Sequence, residues 1–148
     1  MNGFLSENKS VIIFKDKSLQ IVFDQQDEIL FVTWQGRVTE EEVKAGYLKL
    51  IAFMKTQQVR KCLVDSRKRE MESSLDPNKL FNLLFPNLQP YLHEQLFIAS
   101  VLSVQSYMER GDTFSVDRPL HYQNYNIIIN RFIDYDKALL WLRQVDVL

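Results

Sequence analysis

Lys61-Cys62-Leu63-Val64 runs directly into Asp65-Ser66-Arg67, and this junction constrains the fold more than any other part of the chain. Cys, Leu and Val in succession leave no polar face. That suits a strand covered by helices on both sides rather than one with a wet face. A carboxylate, a hydroxyl and a guanidinium then follow together, as they do where the carboxyl end of a central parallel strand meets solvent. In open α/β sheets that edge is where ligands and partners sit. Leu96-Phe97-Ile98-Ala99-Ser100-Val101-Leu102 has the same unalternating apolar character and reads as a second buried parallel strand, within Gln95 to Ser103.

The remaining elements fall around these two. Val11-Ile12-Ile13-Phe14 is a short apolar run suited to an edge strand. Leu19 to Asp24 and Ile29 to Gln35 form a strand pair joined by the polar link Gln25-Gln26-Asp27-Glu28, with Gly36 breaking the second strand. Thr39 and Glu42 make a capping box that opens a helix over Glu40 to Gln57, where Val43, Tyr47, Leu50, Ile51 and Met54 share one face. After the strand Lys61 to Asp65, the polar run Arg67 to Ser74 reads as a loop. Asp76-Pro77 starts a helix carrying Leu80, Phe81, Leu84, Phe85 and Leu88, which Pro86 and Pro90 interrupt near Phe85. Ser106 to Arg110 is a short helical turn stopped by Gly111, and Thr113 to Gln123 has no clear pattern. Tyr125 to Phe132 is a last strand, and Asp134 caps a closing helix whose buried face is Ala138, Leu139, Trp141 and Leu142.

Strands alternating with helices after an initial strand pair require crossover connections. The expected fold is α/β: a mixed, largely parallel central sheet of about five strands with helices packed against it. At 148 residues the chain makes one domain, residues 11–148, behind a loosely ordered arm, residues 1–10.

Composition excludes several functions. Lys and Arg number 18 against 19 Asp and Glu, so nothing draws nucleic acid or an anionic membrane to the chain as a whole. The amino terminus lacks the apolar run of a secretory signal, and no stretch is long and apolar enough for a membrane span. The expectation is a cytoplasmic protein without membrane insertion. The one cysteine, Cys62, cannot form an intramolecular disulfide and reads as a buried structural thiol. His93 and His121 have no metal-ligand spacing, and there is neither a glycine-rich phosphate loop nor a G-x-S-x-G elbow. No catalytic residue, metal or cofactor is therefore expected.

What remains is a surface. Asp65, Ser66 and Arg67 at the strand end are suited to phosphate or carboxylate, and Ser103, with Ser106, can line the same edge. The structural alternatives are an Asp bonded to loop amides, an Arg lying over the sheet edge and a serine capping the next helical turn. Arg67-Lys68-Arg69, with Arg60 and Lys61 upstream, is the one dense basic cluster, suited to an acidic partner or to solvation as a charged loop. The aromatic second helix, Phe81 to Leu92, suits core packing, a pocket for an apolar ligand or a dimer interface.

Phe31-Val32-Thr33-Trp34-Gln35-Gly36-Arg37-Val38-Thr39, Leu63-Val64-Asp65-Ser66-Arg67, Phe97-Ile98-Ala99-Ser100-Val101 and the closing run Phe132 to Leu142 stand in an order and spacing that resembles the STAS domains. These are the anti-sigma-factor-antagonist-like proteins, with relatives grouped with the lipid-exchange CRAL-TRIO proteins. The likeness spans about Leu19 to Leu142 and is greatest to small uncharacterised bacterial single-domain members. It implies a regulatory switch in which a kinase phosphorylates a serine after the central strand. Asp65 and Ser66 match that motif and make Ser66 the candidate phosphoacceptor. Arg67 stands where the usual phosphoacceptor is, and no Gly follows.

The expected function is a non-catalytic regulatory or protein-interaction module with a protein partner, or acting as a homodimer. The alternative is a small carrier or sensor of an apolar or acidic ligand.

Overall fold

The computed structural model describes residues 9–71, 95–109, 120–122 and 127–145. The expected second helix from Asp76, with its aromatic run and His93, lies outside the described residues, as do residues 1–8 of the arm.

Seven strands form one sheet among the described residues: β1 (Ser10–Lys15), β2 (Leu19–Asp24), β3 (Ile29–Val38), β4 (Lys61–Met71), β5 (Leu96–Val101), β6 (Leu120–Tyr122) and β7 (Ile127–Phe132). Their order across the sheet is β1-β2-β3-β4-β5-β7-β6. β3, β4, β5 and β7 run parallel, while β1 and β2 on one side and β6 on the other pair antiparallel. The strands beyond the expected five are the two edges. Val11 to Phe14 does pair as β1, and Leu120 to Tyr122, within the stretch without a clear pattern, form β6.

Both faces of the parallel centre are covered, which is why its strands do not alternate. α1 (Glu40–Gln57) buries Val43, Tyr47, Leu50, Ile51 and Met54 against Leu30, Val32, Trp34, Cys62, Val64 and Ile98. Its start has the capping box expected: Thr39 Oγ1 accepts from Glu42 N–H at 3.1 Å and Glu42 Oε1 from Thr39 N–H at 2.9 Å. A closing helix, Tyr135–Gln144, buries Ala138 and Leu142 on the opposite face, against Ile29, Leu63, Phe97, Ala99 and Val101. A short helix, Val104–Glu109, lies between β5 and β6. In chain order these two are α2 (Val104–Glu109) and α3 (Tyr135–Gln144). No helix of the described residues is long and apolar enough to cross a membrane.

One close approach ties α1 to the sheet. A Cβ on Gly46 would stand 2.5 Å from Trp34 Cη2 and 2.8 Å from Leu19 Cδ2, so only glycine lets the helix backbone rest on the indole.

Two expected boundaries move. Gly36 does not end β3 but lies inside it at φ 76°, a left-handed conformation that glycine adopts without strain. The polar run from Arg67 is not a loop up to Met71: β4 continues through it, paired with β3. Pairing with β3 satisfies the backbone there, so the strand persists with polar side chains.

Candidate functional site

The expected strand end is a bulge within a longer strand. Thr33 stands opposite Asp65 and Gln35 opposite Lys68, so β3 advances two residues while β4 advances three, and Ser66 and Arg67 together face Trp34. An extra residue of this kind kinks the strand and re-aims its side chains. Pairing of β4 with β5 stops at Asp65 opposite Val101, whereas pairing with β3 runs on to Met71 opposite Val38. β2 likewise stops at Leu19, opposite Trp34. Beyond these points residues 35–38 and 67–71 form a ribbon with no further strand beside it among the described residues.

Asp65 holds the bulge in shape. Its Oδ1 accepts from the Arg67 backbone N–H at 3.1 Å and from Arg67 Nε at 3.0 Å, and its Oδ2 accepts from Nη2 at 2.8 Å. A carboxylate only 9% exposed needs such partners, and the two-pronged guanidinium supplies them in fixed geometry. Arg67 is more open, with its side chain 42% exposed. The hydrogen bonds it donates to Asp65 are the main reason its pKa is raised, so the guanidinium is permanently charged.

The guanidinium carbon lies 5.3 Å from the ring centroid of Tyr135, the first residue of α3. Burial first, and then the Asp65 carboxylate, push the Tyr135 phenol upward, against a smaller opposing effect of Arg67, so it stays protonated at neutral pH. Asp134 fixes this helix start by accepting on Oδ1 from the Asp136 N–H at 2.8 Å and the Lys137 N–H at 3.2 Å.

Asp65, Ser66 and Arg67 are thus together, with Ser66 half-buried in the bulge. Ser103 lies on the same carboxyl edge, two residues past Val101, but its hydroxyl is engaged at the start of α2. Its Oγ accepts from the Ser106 N–H at 3.1 Å and donates to Ser106 Oγ at 3.1 Å. Cys62 faces α1, and burial pushes its thiol from 9.0 up to about 12, so it is no nucleophile at neutral pH. Among the described residues no three His, Cys, Asp or Glu side chains gather as a metal site requires.

Three residues join the site that the strand-end motif did not single out. Tyr135 was legible only as the position after a helix cap. Trp34 and Arg69 meet across the ribbon, the guanidinium carbon 5.4 Å from the indole. Trp34 Nε1 and Arg69 Nη1 are both buried with no hydrogen-bond acceptor. Their meeting depends on the extension of β4, which a polar run does not advertise. Around the corner, a cavity of about 410 Å³ opens between α2 and α3, bounded by Tyr107, Asn130, Arg131, Phe132, Ile133, Asp134 and Lys137.

A parallel centre, an antiparallel strand pair at the amino-terminal edge and a helix on each face define an α/β sandwich. Among solved structures the chain is similar to an uncharacterized protein of the DUF3478 family from Shewanella loihica PV-4, described as having a SpoIIAA-like fold. The two are 15% identical, the match covers 90% of this chain and 91% of that one, and the TM-score is 0.46. No protein-family model and no curated protein matches the chain.

Proposed function

We propose that the chain is a non-catalytic regulatory or protein-interaction module of STAS-like type, acting in the cytoplasm through a protein partner or a second copy of itself. The observation that carries this reading is the shape of the β4 carboxyl edge. Together with β3 the strand runs on past β2 and β5 as a two-stranded, braced ribbon, which suits a partner surface better than it suits a substrate cleft. Asp65 and Arg67 are spent largely on each other, so they shape that surface rather than act as acid and base. Ser66 is the phosphoacceptor in this reading: a phosphate there would place about two negative charges beside Arg67 and Lys68 and compete with Asp65 for the guanidinium.

A photo-crosslinking residue placed at Ser66 in native cells tests the proposal, with exposed Ala52 on α1 as the control position. Crosslinks from position 66 to one protein species or to a second copy, and none from position 52, are expected. Their absence from both positions overturns it. Intact-mass measurement of wild type and Ser66→Ala reads phosphorylation in the same preparation.

The cavity between α2 and α3 favours a second reading, a small carrier or sensor of an apolar or acidic ligand. Its volume of about 410 Å³ is in the range of small-molecule sites, and Tyr107, Phe132 and Lys137 offer apolar walls and a cation. Native mass spectrometry showing a small molecule retained by wild type and lost in Lys137→Glu would favour it over the interaction module.

A further inference from the structure

We infer that the β3–β4 ribbon, residues 35–38 and 67–71, is the docking surface for an acidic, extended segment of a partner protein. This rests on the interaction reading above and names its partner by chemistry. In a chain of net charge −1, the ribbon concentrates Arg37, Arg67, Lys68 and Arg69 against the single acid Glu70. Such segregation creates a local positive field that the whole-chain balance hides.

The cations are not equally spent. Arg67 is held by Asp65. Lys68 is exposed opposite Gln35, and Arg37 is exposed opposite Glu70. Arg69 lies on Trp34 with its Nη1 buried and lacking an acceptor. Its register partner is Gly36, and no atom lies within 4 Å of where a Gly36 Cβ would be. Gly36 therefore leaves β3 without a side chain at the position opposite Arg69.

The charge pattern favours carboxylates over a nucleic-acid backbone. Glu70 stands on the ribbon, and Glu40 and Glu41 follow just past the end of β3. A continuous run of phosphates would be repelled there, while a few carboxylates spaced along an extended peptide can meet Arg37 and Lys68, which the register places on one face of the ribbon, and avoid the acids.

Fluorescence anisotropy with a labelled peptide of alternating Glu and Ala tests this, with the Gln-for-Glu peptide and a single-stranded oligonucleotide of equal charge as comparisons. Saturable binding of the Glu peptide is expected, weakened about tenfold or more in the surface double variant Arg37→Glu/Lys68→Glu and weakened by salt. An unchanged melting temperature of that variant shows that it remains folded. No saturable binding of the Glu peptide, equal binding by the variant, or tighter binding of the oligonucleotide overturns the assignment. A cellular partner that crosslinks equally to wild type and variant also overturns it while leaving the interaction reading intact. Charge-dependent peptide binding with no cellular crosslink supports the surface and removes the cellular role.

Discussion

Replacing Gly46 by alanine should destabilise the protein, although the same change in an exposed helix would stabilise it. Removing a helical glycine favours the helix by about 1 kcal/mol. Against this, the new methyl would lie 2.5 Å from Trp34 Cη2, 3.0 Å from Trp34 Cζ2 and 2.8 Å from Leu19 Cδ2. Trp34 and Leu19 are 1% and 4% exposed, so neither side chain can swing into solvent to make room. The indole is further fixed by an edge-on contact with Tyr47, ring centroids 6.0 Å apart, and by Arg69 over its face. Overpacking in such a core costs about 1–3 kcal/mol. With two rigid neighbours the upper part of that range applies, which leaves a net loss of about 2 kcal/mol. For a domain of this size that lowers Tm by about 4–8 °C. Urea denaturation of wild type and Gly46→Ala measures it. A midpoint that rises would refute the reasoning, because it would mean that α1 rides clear of Trp34. Trp34→Phe, which removes the ring carrying both contacted atoms, should be less costly in the Gly46→Ala background than alone, by about 1 kcal/mol of coupling.

Other outcomes follow from the same geometry. Below pH 9.0 both folded and unfolded states keep the Cys62 proton. Above it the unfolded chain loses that proton while the buried thiol holds it to about 12. Stability should therefore fall by about 1.4 kcal/mol per pH unit in that window from this group alone. The urea midpoint should fall less between about pH 8 and about pH 10 in Cys62→Ala than in wild type, and an equal fall would count against it. Asp65→Ala leaves the Arg67 amide without its acceptor and frees the guanidinium; discounted for the exposure of Arg67, the loss is about 2 kcal/mol. Hydrogen exchange at the Arg67 amide should speed up, and an unchanged rate would show that the carboxylate does not brace the bulge. Asp134→Ala should cost about 1 kcal/mol through the lost α3 cap, with Asp134→Ser recovering most of it in thermal melts.

Much of the fold was legible because local chemistry and tertiary structure agree. Thr39 and Glu42 announce α1 by a reciprocal bond made within four residues, and Asp134 announces α3 in the same way. Cys62-Leu63-Val64 and Leu96 to Val101 announce buried strands because both of their faces meet helices. Local pattern failed where a partner strand overrode it. Arg67 to Met71 has the composition of a loop and is a strand because β3 lies beside it, and Gly36 looked like a terminator and is a left-handed residue inside β3.

The candidate site divides along the same line. That Asp65, Ser66 and Arg67 stand together is a property of the chain, since adjacent residues cannot be far apart. Everything that gives them a role depends on residues distant in sequence. Tyr135 lies under the Arg67 guanidinium because α3 packs on β4 and β5, and Trp34 meets Arg69 because β3 keeps pairing past the bulge. The sequence by itself determined the helix starts, the buried strands and the local cluster of charge, all set by hydrogen bonds and hydrophobic periodicity within a few residues. Only the tertiary structure decided that the charge stands on a projecting ribbon, because strand pairing is a long-range interaction whose register no single stretch contains.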